Sequence, residues 1–148
     1  MVTINQIKQL RKETGVSIIE CKKALEKAKG NMAVAKENLR KQGQELVEEK
    51  KEKEVHQGII ESYVHPNKKI GVLLDIRCET DFVARSEEFK KLAHELCLQI
   101  AAMDSQKTSL MSQPWIRDET KKVKDLIDEY IAKLGENIIV EKFIRYEI

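Results

Sequence analysis

Apolar residues in the first third of the chain recur at helical spacing, and this pattern predicts three short helices. Each predicted helix follows a polar residue that suits an N-cap, namely Thr3, Ser17 and Asn31. Glycines at positions 15 and 30 end the first two helices. Spacings of three and four residues place one apolar face on each helix: Ile4, Ile7 and Leu10; Ile18, Cys21, Leu25 and Ala28; Val34, Ala35 and Leu39. Because no helix of three turns is stable alone, the three are expected to share a small core.

Farther along, the apolar pattern alternates with a period of two, which predicts strands. The segment 70–78 places Ile70, Val72, Leu74, Ile76 and Cys78 on one face. The segment 58–64 precedes it across a His-Pro-Asn-Lys turn, so a hairpin is expected. A last strand is predicted over 137–148, where the alternation returns.

Two further helices are predicted between these strands. Ser86 caps one and Thr120 caps the other, and Gly135 ends the second. The first carries Phe89, Leu92, Ala93, Leu96, Cys97 and Ile100 on its inner face; the second carries Val123, Leu126, Ile127, Tyr130, Ile131 and Leu134. The predicted fold class is therefore α+β, with a three-stranded antiparallel sheet and two helices packed on one side.

An uninterrupted run of charged residues, 48–54, separates the two patterns and predicts a solvated helix or linker. We therefore expect an N-terminal domain over 1–53 and an α+β core domain over 54–148. The net charge of +2 is unevenly distributed, since residues 1–56 carry +4 and residues 57–148 carry −2. This weak field disfavours RNA binding through the N-terminal helices, which remains a minor alternative.

Composition and motifs narrow the function classes. Three widely spaced cysteines and three scattered histidines predict neither a disulfide framework nor a metal site. No signal peptide or membrane span is predicted, so we expect a cytoplasmic protein. Phosphate-binding glycine loops, nucleophile elbows and zinc-protease motifs are all missing. We therefore expect a protein that is not an enzyme and needs no cofactor.

Two features exceed what the fold requires. Thr80-Asp81-Phe82-Val83 lies between a strand and the Ser86 cap, and two interpretations remain open. Phe82 is an exposed contact residue, or Asp81 is an N-cap and Phe82 turns inward; periodicity favours the second.

The other feature is an apolar spot, Val16 with Ile19, rimmed by Lys22 and Lys23. Apolar patches with a charged rim are typical of partner-binding surfaces. Isolated exposed apolar residues are also ordinary on protein surfaces, so both interpretations stand.

Several ordered motifs resemble the elongation factor Ts family. They are LRKETG at 10–15, CKKAL at 21–25, GII at 58–60, GVLL at 71–74, CETDFVAR at 78–85 and KLGENI at 133–138. The resemblance covers nearly the whole chain. It implies a guanine-nucleotide exchange factor for the GTPase elongation factor Tu, with a UBA-like N-terminal three-helix domain that docks on the GTPase.

The resemblance also assigns residues. Thr80, Asp81, Phe82 and Val83 match a loop that reaches the GTPase, where the aromatic ring disturbs the Mg²⁺ site. Arg11, Ile18, Ile19 and Lys22 match the N-terminal docking surface. This reverses the periodicity argument for Phe82, and it conflicts with the inner position that periodicity assigns to Ile18.

The sequence departs from the family pattern between Met103 and Pro114, where a long helical segment is usual. A degenerate short form that binds partners without exchange activity is therefore the alternative function. Short forms of the family work as symmetric dimers, and the apolar face of the predicted last strand is suited to pairing across a two-fold axis, so a homodimer is expected.

Overall fold

A computed structural model describes all residues, 1–148, and the chain separates into two units. The first spans Met1–Glu49 and the second Lys50–Ile148. Each unit has its own buried residues and is described separately. No helix in either unit combines the length and the apolar character that crossing a bilayer requires.

Three helices form the N-terminal unit: α1 (Ile4–Thr14), α2 (Ile18–Lys27) and α3 (Met32–Lys50). Thr3 and Gln6 form the predicted capping box, with each side chain accepting a hydrogen bond from the other residue's backbone N–H. Helix α3 is longer than the predicted three turns, because it continues into the first three residues of the charged run and ends at Lys50.

The core of this unit is small and consists of Leu10, Cys21, Ala24, Leu25, Ala35 and Leu39. Three residues that periodicity placed on inner faces are exposed instead, namely Ile4, Ile18 and Val34. The buried face of α2 includes Ala24. At 100° per residue, the centre of this buried face lies about 70° around the helix from Ile18. Val16, predicted to be exposed, packs against the core from the N′ position of a hydrophobic staple, five residues before Cys21, the buried N4 residue.

The second unit is built on a three-stranded antiparallel sheet, as predicted. Its strands are β1 (Gln57–Val64), β2 (Ile70–Cys78) and β5 (Ile138–Glu147), in the order β1-β2-β5. The central strand buries the predicted alternate residues, and the sheet therefore has one inner and one outer face.

Helices cover the inner face. They are the single turn α4 (Asp81–Ala84), then α5 (Glu87–Ala102) and α6 (Val123–Leu134). Ser86 caps α5 as predicted, since its hydroxyl accepts the backbone N–H of Phe89. All six predicted inner residues of α5 are buried, and α5 packs on β1 and β2. The predicted α+β class with helices on one side is confirmed.

A small hairpin, β3 (Pro114–Trp115) with β4 (Asp118–Lys122), was not predicted. Thr120 lies in β4 and does not cap α6, so that prediction was wrong. Its hydroxyl donates to the carboxylate of Asp118, whereas the carboxylate of Asp125 accepts the backbone N–H of Lys122 at 3.0 Å and starts the helix there.

The side chain of Gln99 ties this hairpin to α5. It is fully buried, and its amide nitrogen donates to Gln113 Oε1 at 3.0 Å and to the Pro114 carbonyl at 3.1 Å. Its amide oxygen accepts the backbone N–H of Ile116 at 2.9 Å. Buried amides with satisfied hydrogen bonds fix one arrangement of neighbouring segments, so the connection from α5 to α6 has a defined path.

A glycine in β1 is required by close backbone packing. A Cβ on Gly58 would lie 2.2 Å from the carbonyl oxygen of Ile76 and 2.8 Å from the Cα of Arg77. Because both neighbours are backbone atoms, Gly58→Ala should lower the free energy of unfolding by about 1–3 kcal/mol, measured by urea titration. The matched control is Gly71→Ala, whose Cβ meets nothing within 4 Å and should change stability by less than about 0.5 kcal/mol. Equal effects of the two substitutions would contradict this account.

Candidate partner-binding surfaces

The first candidate surface is the single turn of helix that follows the central strand. Thr80 is its N-cap, with extended backbone, and its hydroxyl accepts the backbone N–H of Val83 at 3.3 Å. Val83 and Ala84 point inward and are buried, which anchors the turn on the core. We call Thr80, Asp81, Phe82 and Val83 the loop tip.

Phe82 projects outward from this anchored turn. Its side chain is 86% exposed, whereas Phe89, seven residues later, is completely buried. The pattern-based prediction of an inward Phe82 with Asp81 as N-cap was therefore wrong. Since the buried pair is Val83 and Ala84, a spacing of 100° per residue puts Phe82 about 150° from their mean direction. An exposed phenylalanine forgoes roughly 1.5–3 kcal/mol of burial, which folding alone does not explain.

Asp81 is exposed beside the ring and forms an ion pair with Arg85. The guanidinium Nε and the carboxylate oxygen are 2.8 Å apart, and both side chains are more than half exposed. Exposed pairs of this kind add little stability, so the pair mainly orients the carboxylate. The loop tip thus exposes the apolar ring of Phe82 next to the Asp81 carboxylate, which is paired with Arg85.

A carboxylate that is distant in the sequence forms hydrogen bonds with the loop tip. Glu136 accepts the backbone N–H of Thr80 at 2.9 Å and the hydroxyl of Thr80 at 2.7 Å. In the opposite direction, the carboxylate of Glu79 accepts the backbone N–H of Asn137 at 2.6 Å. We call this exchange of carboxylates between residues 79–80 and 136–137 the reciprocal clamp.

Two further side chains support the clamp from inside. The thiol of Cys78 donates to the carbonyl of Thr80 at 3.2 Å, and burial raises the pKa of that thiol to about 11, with the charge of Glu136 adding to the effect. The thiol therefore stays protonated and remains a donor at neutral pH. The buried amide of Asn137 donates to the carbonyl of Lys53 at 2.9 Å, which ties the start of this unit to the same place.

Sequence reasoning missed Glu136 and Glu79 as contributors to this surface. Both stand in motifs that were recognised, CETDFVAR and KLGENI, but no local pattern relates positions 56 residues apart. One motif follows the end of a predicted strand and the other precedes the start of another, but the pairing of these two strands was not predicted and is seen only in the structure.

The second candidate surface lies on α2 of the N-terminal unit. Ile18 and Ile19 are 51% and 66% exposed, and Lys22 is exposed one turn later on the same helix. Ile18 is therefore exposed, so the inner position that periodicity gave it was wrong, while its role in docking stays a prediction. These residues, together with the exposed Arg11 of α1, are called the docking patch.

Burial raises the pKa of the Cys21 thiol of α2, and a hydrogen bond with Thr14 and the charge of Arg11 partly oppose that rise. Lys22 also lines a groove of about 540 Å³ together with Met1, Val2 and Ile7. The docking patch is thus an exposed apolar pair with Arg11 and Lys22 beside it, while the exposed Glu20 and Glu26 of the same helix add negative charge nearby.

Comparison with known proteins places the chain in a family. A family model described as Elongation factor TS matches residues 79–148. Elongation factor Ts of Thermotoga maritima is 42% identical, with 99% of this chain and 96% of that protein aligned. Elongation factor Ts of Coprothermobacter proteolyticus is 36% identical, with 99% of this chain and 98% of that protein aligned. The chain belongs to the elongation factor Ts family. Its role is that of a translation elongation factor.

This member of the elongation factor Ts family is shorter than the relatives it matches. The alignment with the Thermotoga maritima protein spans 191 positions against 148 residues here, so at least 43 positions have no counterpart in this chain. The loop tip and the clamp residues lie within the matched 79–148 region, which retains the motifs on which both depend.

Proposed function

We propose that this elongation factor Ts homologue binds elongation factor Tu with bound GDP and promotes release of the GDP by disturbing the Mg²⁺ and nucleotide site. The observation that carries the proposal is Phe82, which is 86% exposed on a capped and anchored helical turn. Membership of the elongation factor Ts family supports the choice of partner.

The physical basis of exchange is linkage between two ligands of the GTPase. Mg²⁺ bridges the phosphates of the nucleotide and neutralises their charge, so weakening its coordination weakens nucleotide binding. Reciprocity then requires that the factor bind the nucleotide-free GTPase more tightly than the GDP-bound form. In this proposal no bond of the nucleotide is made or broken, so the factor is not an enzyme and requires no catalytic acid, base or cofactor.

A rigid apolar side chain suits this task. The turn that carries Phe82 is capped by Thr80 and anchored by Val83 and Ala84, so little conformational entropy is lost when the ring inserts into a partner. Insertion also buries the ring and recovers the hydrophobic free energy that its exposure forgoes. The adjacent Asp81 carboxylate adds like-charge repulsion toward phosphate groups near the metal.

In this proposal the docking patch contributes the affinity for elongation factor Tu, and the loop tip promotes the release of GDP. Ile18 and Ile19 provide the apolar contact, and Arg11 and Lys22 provide charges that steer an acidic surface of the GTPase. The smaller size of this chain favours one alternative, a module that binds elongation factor Tu without releasing GDP, because positions present in the relatives are missing.

A homodimer is also proposed, formed through the outer face of the sheet. This face exposes Leu73 of β2 directly opposite Ile144 of β5, with Tyr146 farther along the same strand. Ile60 and Val64 extend it on β1. These apolar residues share the outer face with Ser62, Asp75 and Lys142; exposed apolar residues grouped in this way are typical of an interface, and a two-fold axis would pair the face with its own copy.

Phe82→Ala should lower the rate of GDP release from elongation factor Tu at saturating factor roughly tenfold or more, because the inserted ring is lost. The measurement is stopped-flow release of a fluorescent GDP analogue. Ile116→Ala, at another exposed apolar side chain of the same unit, is the control and should leave the rate unchanged. If the wild-type factor forms a complex without accelerating release, the binding-only alternative holds.

Ile19→Ala should raise the factor concentration that gives half-maximal release several-fold, while the maximal rate stays near the wild-type value. The reason is that the docking patch contributes binding energy outside the nucleotide site, at more than about 1 kcal/mol for a well-packed contact. Ile4→Ala removes a similarly exposed isoleucine of α1 and serves as control. A reduced maximal rate at unchanged half-saturation would contradict this division of roles.

Leu73→Asp should convert the proposed dimer to a monomer in sedimentation velocity, since it buries a charge at the centre of the interface. Ile116→Asp adds the same charge at an exposed site off the sheet and should leave the dimer intact. A wild-type protein that sediments as a monomer at micromolar concentration would rule out the dimer.

A further inference from the structure

The carboxylate of Glu136 sets the hydrogen-bond direction of the residue that caps the loop tip. The hydroxyl of Thr80 has one proton and two lone pairs. Glu136 Oε2 takes the proton at 2.7 Å, so a lone pair is left facing the backbone N–H of Val83, which lies 3.3 Å away. Without an acceptor such as Glu136, the hydroxyl proton has no fixed partner in the protein, and the Thr80 side chain is held only by its bond to the Val83 N–H.

The same carboxylate also holds the backbone before the turn. Its other oxygen, Oε1, accepts the N–H of Thr80 at 2.9 Å, so one side chain binds both donors of the N-cap residue. Hydrogen bonds to an ionised acceptor are stronger than neutral ones. Two from one rigid group fix the direction of the chain as well as its position.

Glu136 is itself held by the fold. It follows Gly135, which ends α6 in the left-handed conformation at φ 73°, and it precedes β5 by two residues. Asn137 donates its backbone N–H to Glu79 at 2.6 Å, so the segment carrying Glu136 is fixed to the segment it clamps. The backbone that carries the Glu136 carboxylate is therefore held in place.

The turn that this carboxylate orients has little stability of its own. Helix α4 contains four residues, far below the length at which a helix forms without support. Phe82 lies two residues after the clamped cap, so a change in cap geometry changes the direction of the ring.

We propose that Glu136 is a positioning residue for exchange, one that acts through Thr80 to hold Phe82 in its outward orientation and itself makes no contact with the GTPase. This proposal rests on the proposed exchange function. It predicts a defect in the maximal rate of GDP release with no comparable defect in factor binding.

The direct test of positioning uses the factor alone. Glu136→Ala should speed hydrogen exchange of the Val83 amide about tenfold, because both hydrogen bonds to the cap are lost. Glu129→Ala removes an ion-paired glutamate of α6, whose carboxylate lies 2.6 Å from Lys121 Nζ, and should leave that amide unchanged. Unchanged exchange in Glu136→Ala would overturn the proposal whatever the function of the protein. Thermal unfolding of both variants verifies that they are folded at the assay temperature.

The functional test measures GDP release from elongation factor Tu as a function of factor concentration. Glu136→Ala should lower the maximal rate about tenfold while half-saturation moves less than twofold. Thr80→Val should match it, and Thr80→Ser, which retains the hydroxyl, should restore most of the rate. A shift in half-saturation alone would show that Glu136 serves binding and would overturn the positioning role.

A double substitution separates positioning from general structural damage. In a factor that already carries Phe82→Ala, Glu136→Ala should have no further effect on the maximal rate, because the ring through which it acts is gone. A further tenfold loss would show an independent role and overturn the proposal. If the wild type itself releases no GDP, the exchange function fails, while the Val83 exchange measurement still tests whether Glu136 holds the turn.

Discussion

The antiparallel pairing of β2 with β5 is the constraint on which the second unit depends. In this register Cys78, the last residue of β2, lies opposite Ile138, the first residue of β5. The segments that leave and enter the sheet there, 79–80 and 136–137, are therefore neighbours although they are far apart in the chain. Burial of one face of β2 beneath α5 fixes that register, since a shift by one residue would turn its apolar side chains outward.

The reciprocal clamp uses this pairing to hold the turn that carries Phe82. Carboxylates from both segments accept the backbone N–H groups of Thr80 and Asn137, which lie just beyond the paired residues of the sheet. The turn that follows is anchored by Val83 and Ala84, so its outward residue has a defined direction. A phenylalanine exposed from such a turn contributes nothing to the core, and its hydrophobic free energy is available for a partner.

The two candidate surfaces are built in different ways. In the docking patch, Ile18, Ile19 and Lys22 lie on neighbouring turns of α2 and need only that helix to be formed, whereas Arg11 also requires α1 to pack beside it. The loop tip follows a strand, is capped by Thr80 and is hydrogen-bonded by Glu136, a carboxylate 56 residues away in the sequence. Binding energy is readily placed on the first kind of surface. A wedge that must enter a partner's site in one orientation requires the second.

The sequence by itself determined the elements whose patterns are local. Caps at Thr3, Ser86 and Gly135 and the alternation in β2 led to the α+β fold, because capping and burial act within a few residues. Motif resemblance also selected Phe82 and Ile19, which periodicity alone had misread or left undecided. Tertiary structure decided the rest: Ala24 shifted the buried stripe away from Ile18, and Asp125 started α6 in place of Thr120. Only the paired strands brought Glu136 to Thr80, since contact between distant residues depends on a register that no local pattern contains.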